Sequence, residues 1–454
     1  MKYFKLLFAD IVKRPSLYFF IFLIVFAIDR HHRFEASEDK NFGPFSGDVL
    51  EYYTFLPEYF LDYRQVDGIN FETNKRTVGM AIMYAPSFLV GHFISTITED
   101  RHTGYTYPYQ YCIRWGSIIY CFLGLFFCRK NLLFFFKEPI VLVALVCIFF
   151  GTNLFYYTFS TGEFAHAYLF FLYSVFIYAT LKWILFKEIR FILLIGFLTG
   201  FITLVRPTGI IILLIPLLFN ISSLDDFIKR LKLFFAKKGL LFFAPLLFSI
   251  PLLFQLLVWK LTKGHFIYYS YGKERFFFND PQILNFLVSI RKGWLVYTPI
   301  MVFSLIGILL SRKYLKEFFI LLCVFFCLNV YILSSWWDWA YGGSFGCRAL
   351  IESYALLIFP LAVFIQFVWE FNAEKKWLNR SLLTSVLVVF YLLIEFNIFQ
   401  TWQYKYGRIH WSGMNWETYK YIFLKDITTE EANYLNTRYT PPDADEMLEG
   451  KRDE

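Results

Sequence analysis

The chain has 454 residues and a formal net charge of +8, and it is 57% hydrophobic, 23% aromatic and only 18% charged. Soluble domains are about half apolar and a quarter charged, so this composition excludes an ordinary soluble enzyme and predicts an all-α polytopic membrane protein. The basic residues stand in short loops between apolar runs, and we therefore attribute the positive charge to membrane topology and expect no nucleic-acid partner.

Apolar runs along the chain predict about eleven transmembrane helices. The first run follows a basic segment without a small-residue cleavage site, so we interpret it as a retained helix with its basic end in the cytoplasm, not as a signal peptide. The predicted spans are 15–28, 112–128, 139–154, 165–183, 190–205, 208–220, 239–260, 293–311, 317–335, 346–369 and 381–402.

One further segment, 78–97, contains Pro86 and Gly91, and the charge of the loops decides how we interpret it. If it does not cross the membrane, every strongly basic short loop lies on the cytoplasmic side; if it crosses, all of those loops lie outside, against the positive-inside rule. We therefore predict a re-entrant or interfacial helix. The resulting organisation is a transmembrane domain (1–402) with a first external loop (29–77), followed by an extracytoplasmic tail (403–454) whose acidic end we expect to be disordered.

This topology places the unusual polar residues on the outer face, beginning with Asp48 in the first external loop. Asp48 follows a glycine and precedes Tyr52 and Tyr53 in "SGDVLEYY". Two interpretations stay open: a solvated loop charge, or a carboxylate held near the membrane surface as a general base for an acceptor hydroxyl. In the second case we expect the two tyrosines to line the site.

Glu163 and His166 open a middle helix in "STGEFAHAYLF", three residues apart and therefore on one helix face. The pair could supply two metal ligands or one polar contribution to the wall of a site. No third ligand accompanies it, so we predict no metal site, although a role for a divalent cation stays open.

Two basic motifs are candidates for binding a lipid phosphate. Arg206 in "LVRPTG" lies at the outer membrane boundary, where it binds an anion or caps a tight turn. Lys273 and Arg275 in "YGKERFFF" stand among aromatic residues, as expected of a loop that lies among the membrane lipids and contacts anionic headgroups.

The stretch "SSWWDWAYGGSFGCRAL" combines aromatic, acidic and basic residues. Trp336, Trp337 and Trp339 are typical of a bilayer interface, but Asp338, Arg348 and the glycines between them are not explained by that role. Glycine permits a tight turn or the close approach of a ligand. An aromatic wall beside two arginines at the same depth would accommodate a sugar attached to a lipid phosphate.

The order of these motifs resembles that of the polytopic C-type (GT-C) glycosyltransferase superfamily, which includes the protein O-mannosyltransferases and the lipid A aminoarabinose transferase. The similar stretches are "SGDVLEYY", "GEFAH", "LVRPTG", "KGWLVYTP" and "WWDWAYGGSFGCRAL". The similarity extends through most of residues 1–400. It implies a GT-C-like fold in the inner membrane, a polyprenyl-phosphate sugar donor, and transfer on the periplasmic side to a glycan, lipid or protein.

The same resemblance implies a base role for Asp48 and a donor phosphate held by Arg206 and Arg348, with Lys273 or Arg275 assisting. The first loop has Gly-Asp where the protein mannosyltransferases have Asp-Glu, and no large soluble domain is present, so the acceptor stays open. The alternatives are a flippase or carrier, or a polymerase or ligase, of lipid-linked surface polysaccharide. A carrier would place polar residues at the membrane midplane, where these apolar runs have almost none.

Overall fold

The computed structural model describes residues 13–32, 45, 47–62, 74–188, 190–235, 238–371, 376–438 and 443–452. Within these ranges every regular element is a helix, and one isolated antiparallel bridge joins Phe276 to Trp336. The fold is therefore a helical assembly whose loops carry the remaining polar residues.

The first half of the chain contains α1 (Pro15–His32), α2 (Asp48–Tyr53), α3 (Phe55–Leu61), α4 (Gly79–Ile97), α5 (Tyr107–Leu132), α6 (Glu138–Phe150), α7 (Tyr156–Phe159), α8 (Ala165–Phe186), α9 (Arg190–Val205), a 3-10 helix (Pro207–Leu213) and α10 (Leu214–Leu218). The second half contains α11 (Leu224–Phe235), α12 (Lys238–Lys263), α13 (Ile283–Val288), α14 (Trp294–Tyr297), α15 (Met301–Tyr314), α16 (Lys316–Ser334), a 3-10 helix (Arg348–Ser353), α17 (Tyr354–Trp369), α18 (Lys376–Lys405), α19 (Trp416–Ile422), α20 (Thr429–Asn436) and α21 (Ala444–Glu449).

Seven helical stretches in the described part of the chain are long and apolar enough to cross a membrane. They are Gly79–Ile97, Tyr107–Leu132, Ala165–Phe186, Phe243–Lys263, Lys316–Ser334, Arg348–Trp369 and Trp377–Lys405. Three shorter apolar helices accompany them, at Glu138–Phe150, Arg190–Val205 and Pro207–Leu218. The helical membrane class predicted from composition is confirmed at this level, and the count of eleven crossings stays a prediction.

The predicted span 293–311 is broken in the structure. A short helix, α14, ends at Tyr297, and α15 begins only at Met301. Pro299 lies between them; it has no backbone N–H to donate and its ring crowds the preceding turn, which favours a break in the helix at this point.

Helix α4 corresponds to the ambiguous segment 78–97, and it is continuous although Pro86 lies inside it. The Tyr84 hydroxyl donates a hydrogen bond to the carbonyl of Glu163, just before α8, and Gly91 lies against Tyr109 in the first turn of α5. Ser87 lies against Gly116, further along α5, so α4 packs along the first part of that helix.

The long apolar helices differ in how deeply they are buried. In an apolar 18-residue window of Arg348–Trp369, a stretch that contains α17, 89% of the residues are buried, whereas only 11% are buried in the corresponding windows of α12 and of α18. Hydrocarbon is as apolar as a leucine side chain, so apolar composition alone does not decide which helix lies at the centre. The buried α17 forms the centre of the fold, and α12 and α18 form its periphery.

The acidic end of the tail is ordered in the described residues 443–452, so the expectation of disorder was wrong there. Asp443 caps α21 by accepting a hydrogen bond from the backbone N–H of Asp445 (2.8 Å). Beyond this helix, Arg452 is only 1% exposed. A low content of apolar residues made this segment look disordered, but it packs against the membrane domain by burying a basic side chain.

The contact between α9 and α12 is close because α9 presents glycines to it. Gly196 and Gly200 lie so near the carbonyl groups of Ala244 and Phe248 that an added Cβ would overlap them. Small residues four apart let two membrane helices approach along their backbones.

We expect Gly200→Val to lower the free energy of unfolding by about 1–3 kcal/mol, because the new side chain forces the α9 and α12 backbones apart. Thermal unfolding of the purified protein in detergent measures the effect. Phe197→Leu, an exposed position on the same helix, is the matched control and should change little. An unaltered melting temperature for Gly200→Val would contradict this close approach.

Candidate active site

A cavity of about 600 Å³ lies where the described parts of the segment before α4, the polar ends of α8 and α9, and the loops before α13 and α17 meet. Its wall contains Asp48, Tyr52, Lys75, Arg76, Phe164, His166, Arg206, Trp259, Tyr268, Tyr269, Tyr271, Glu274, Phe276, Trp336, Trp337, Asp338, Tyr341, Gly342, Gly343 and Arg348, among others. A volume of this size is typical of small-molecule sites. The wall is aromatic, with charged groups of both signs set into it.

Asp48 lies at the start of α2, and each of its carboxylate oxygens is bound by a different arginine. Oδ1 accepts a hydrogen bond from Nη2 of Arg76 (2.6 Å), and Oδ2 accepts one from Nη2 of Arg348 (3.2 Å). The preceding residue, Gly47, has a φ of 52°, a left-handed conformation that glycine adopts without steric cost. The glycine therefore sets the direction in which α2 begins and brings the carboxylate to both guanidinium groups.

These arginines determine the charge of Asp48. Burial alone would raise the pKa of the Asp48 carboxyl, but the positive charges of Arg348 and Arg76 outweigh burial and hold the pKa below its usual value. The carboxylate is therefore ionised at neutral pH. Tyr52, one turn further along α2, keeps its proton because burial raises its pKa to about 12.

Arg76 is held more firmly than Arg348. Its Nε donates to Oε2 of Glu51 (2.7 Å), and its guanidinium lies over the rings of Tyr52 (5.5 Å) and Tyr271 (5.9 Å). Arg348 instead has one ion pair, with Asp48, and lies over the ring of Phe164 (5.0 Å). Its Nε is buried without a hydrogen-bond partner among the described residues.

A second carboxylate, Glu352, organises the other side of the cavity. Glu352 is 4% exposed; its Oε1 accepts a hydrogen bond from Nη1 of Arg206, and its Oε2 lies 3.4 Å from Nδ1 of His166. Arg206 also lies over the ring of Tyr341 (5.8 Å). The buried carboxylate thus fixes a cation and an imidazole in the cavity wall.

The tryptophan turn (residues 335–343) forms an aromatic wall against the loop that follows α12. The backbone N–H of Trp337 donates to the carbonyl of Arg275 (3.0 Å), and the ring of Trp336 packs edge-to-face on Phe276 (4.7 Å) and Tyr271 (5.8 Å). In the described structure, Nε1 of Trp337 and Oδ1 of Asp338 are buried without hydrogen-bond partners. Such groups favour a polar ligand that would satisfy them.

Eight of the thirteen predicted site residues lie in the cavity wall: Asp48, Tyr52, His166, Arg206, Trp336, Trp337, Asp338 and Arg348. Motifs that are far apart in the sequence are thus brought together in one cavity. Their chemical roles stay predictions.

The other five lie elsewhere, and each has a physical reason. Tyr53 turns away from the cavity because successive helical residues point in different directions; it stacks on Phe45 (3.9 Å). Glu163 pairs with Arg114 (Nε to Oε1, 2.5 Å), so it does not share a partner with His166. Trp339 is buried and donates from Nε1 to the carbonyl of Arg452 (2.9 Å).

Lys273 and Arg275 are both exposed and do not belong to the described cavity wall. The guanidinium of Arg275 lies over the ring of Phe277 (4.8 Å). Their neighbour Glu274 does reach the wall, where it accepts a hydrogen bond from Lys75 (3.0 Å). The charged loop thus contributes an acid to the cavity where we had expected its bases.

Sequence reasoning missed Arg76 and Glu352. Arg76 stands among other charges of the first loop, and nothing in its local pattern distinguishes it. Glu352 carried a usable signal, because an acid inside the apolar run 346–369 is a functional candidate by default.

No protein-family model matches the chain, and no curated protein matches it. The function is therefore inferred from the geometry of the cavity.

We expect Glu352→Gln to destabilise the protein by about 3 kcal/mol, because the partly buried Arg206 loses its counter-charge. Thermal unfolding in detergent measures this. The matched control is Glu446→Gln, which breaks an exposed pair with Lys451 (3.2 Å) and should cost less than about 1 kcal/mol. Equal melting temperatures for the two variants would contradict a structural role for Glu352.

Proposed function

We propose that the protein is a membrane glycosyltransferase that moves a sugar from a polyprenyl-phosphate donor to the hydroxyl of a glycan, lipid or protein acceptor. The observation that carries the proposal is one carboxylate, Asp48, set between guanidinium groups inside a largely aromatic cavity. The carboxylate can accept a proton, the arginines can bind a phosphate, and the rings can pack against a sugar. Each component of the reaction has a matching group within one cavity.

Arg206 and Arg348 suit the donor phosphate. Both line the cavity, and a planar guanidinium can bind two phosphate oxygens at once. Trp336 and Trp337 offer apolar ring faces to the sugar, and the unpartnered Nε1 of Trp337 and Oδ1 of Asp338 can bind its hydroxyl groups. The groups suited to the phosphate and to the sugar thus line the same cavity.

In the proposed step, Asp48 takes the proton of the acceptor hydroxyl while the hydroxyl oxygen attacks the anomeric carbon. The bond between that carbon and the phosphate oxygen breaks, and polyprenyl phosphate leaves with the electron pair. Arg206 and Arg348 stabilise the negative charge that develops on the phosphate. A phosphate leaving group needs no proton, so one carboxylate suffices where glycosidases use two.

The unequal hold on the two arginines around Asp48 suits this step. Arg76 is bound by two carboxylates and stays in place, so it orients Asp48. Arg348 has the longer ion pair and is the one that can turn towards a phosphate. Its departure from Asp48 would raise the pKa of that carboxyl and make it a stronger base when the donor is bound.

We place the cavity on the outer, periplasmic side of the inner membrane, with α4 as an interfacial helix beside it. The positive-inside rule supports this orientation.

We expect Asp48→Asn to abolish sugar transfer, because the amide cannot accept the acceptor proton. Mass spectrometry of surface glycans and glycolipids from cells that lack the gene, complemented with each variant, measures transfer. Binding of undecaprenyl phosphate to the purified variant should persist. Glu99→Gln, an exposed position outside the cavity, is the control and should restore normal glycans.

Near wild-type glycans from Asp48→Asn would refute the base role. Normal glycans from cells without the gene would refute the transferase proposal itself and favour a protein that carries lipid-linked sugars.

We expect Arg76→Gln to shift the acidic limb of the pH–rate profile to higher pH. The variant removes a cation that lowers the pKa of Asp48, while Arg348, Lys75 and His166 stay beside it. The raised pKa means that the carboxylate is ionised, and active, only at higher pH. Rates of transfer in isolated membranes, measured from about pH 4 to about pH 8, give the shift. An acidic limb at the wild-type pH would contradict this prediction.

A further inference from the structure

Arg452 is a basic residue of the tail that lies almost fully buried, 1% exposed, behind the aromatic wall of the cavity. It lies between two segments: the loop after α12 (residues 264–282, here the aromatic loop) and the tryptophan turn (residues 335–343). Burying a guanidinium is costly unless its donors are satisfied. The contacts of this side chain therefore show what its burial stabilises.

The guanidinium joins the two segments. Its Nη1 donates to the carbonyls of Ser335 (3.3 Å) and Trp336 (3.1 Å), in the tryptophan turn, and its Nη2 donates to Oδ2 of Asp280 (2.9 Å), in the aromatic loop. It also lies over the ring of Phe277 (4.6 Å). One side chain thus binds both segments that form the aromatic wall.

The backbone at the end of the tail is shaped for this insertion. Gly450 ends α21 with a φ of 109°, a conformation that only glycine adopts readily, and an added Cβ there would meet the ring of Phe277 at 3.3 Å. Two residues later the carbonyl of Arg452 accepts a hydrogen bond from Nε1 of Trp339 (2.9 Å). Arg452 therefore enters with both its side chain and its backbone bonded.

The described tail segment 443–452 contributes no residue to the cavity wall. Its effect on the cavity is indirect: Arg452 contacts Trp336, which lines the cavity, from behind. The aromatic loop and the tryptophan turn have further links, from the N–H of Phe277 to the carbonyl of Ser335 (2.7 Å) and from that of Trp337 to Arg275. Arg452 adds the only ion pair among these connections in the described residues.

We propose that the segment 443–452 is a latch and that Arg452 is a positioning residue, which holds the aromatic loop against the tryptophan turn and so sets the affinity of the cavity for its lipid-phosphate ligand. A planar guanidinium is needed because three acceptors in two segments are bound at once. The proposal adds a determinant of binding outside the cavity. The latch contact itself does not depend on sugar transfer, whereas its effect on lipid-phosphate affinity rests on the proposed function.

Hydrogen–deuterium exchange of the full-length protein in detergent tests the latch directly. With Arg452→Gln, backbone amides in residues 264–282 and 335–343 should exchange faster, while those in α5 and α8 keep the wild-type rate. Lys451→Gln is the matched control, because the neighbouring Lys451 is exposed and, among the described residues, its ion pair is with Glu446 of the same tail segment. Unchanged exchange in both segments, or an equal increase throughout the protein, would overturn the proposal.

Asp280→Asn breaks the same ion pair from the side of the aromatic loop. It tests the proposal if the Arg452→Gln variant does not fold. Because both changes break one ion pair, the double variant should exchange no faster than the more affected single variant. Additive effects of the two changes would contradict a shared contact.

Binding of undecaprenyl phosphate and steady-state transfer connect the latch to the cavity. Arg452→Gln should weaken binding about tenfold, as expected for one lost charge-assisted contact, and should raise the donor KM with little change in kcat. Arg452→Lys should recover only part of the affinity, because an ammonium cannot span both segments. Wild-type affinity in Arg452→Gln would overturn the proposal, whereas normal glycans from cells that lack the gene would refute only the glycosyltransferase function.

Discussion

The double ion pair of Asp48 is the interaction on which the site depends. It joins the start of α2 to Arg76, 28 residues later, and to Arg348, 300 residues later. The two described parts of the segment between α1 and α4 and the polar end of the central helical segment are thereby connected at one carboxylate. Without that carboxylate, two guanidinium groups in a partly buried cavity would repel each other, and the loops that carry them would have no common partner.

The same principle balances the rest of the cavity. Arg206 is offset by Glu352 and Lys75 by Glu274, so each cation has a carboxylate within contact. Paired charges can be held in a low-dielectric wall where single charges would be expelled or neutralised. An anionic ligand can then bind Arg348, because Asp48 keeps its ion pair with Arg76.

Much of this site could be predicted because membrane segments make polar residues conspicuous. Arg206, Asp338 and Arg348 stand out against apolar runs, and the topology predicted from the basic loops put them on one face with Asp48. What local patterns could not predict depends on packing: Tyr52 faces the cavity and Tyr53 the core, Pro299 divides an apolar run, and the acidic tail is ordered by a buried arginine. The role of Arg76 became visible only when a distant carboxylate was seen beside it.

The position of Trp259 has a consequence for how a substrate arrives. This residue lines the cavity, yet it belongs to α12, whose apolar stretch is among the least buried in the protein. The cavity is therefore flanked by a helix whose apolar surface is largely exposed. A molecule with a long isoprenoid chain could present its headgroup sideways, while the chain stays dissolved in the lipid and incurs no cost of transfer into water.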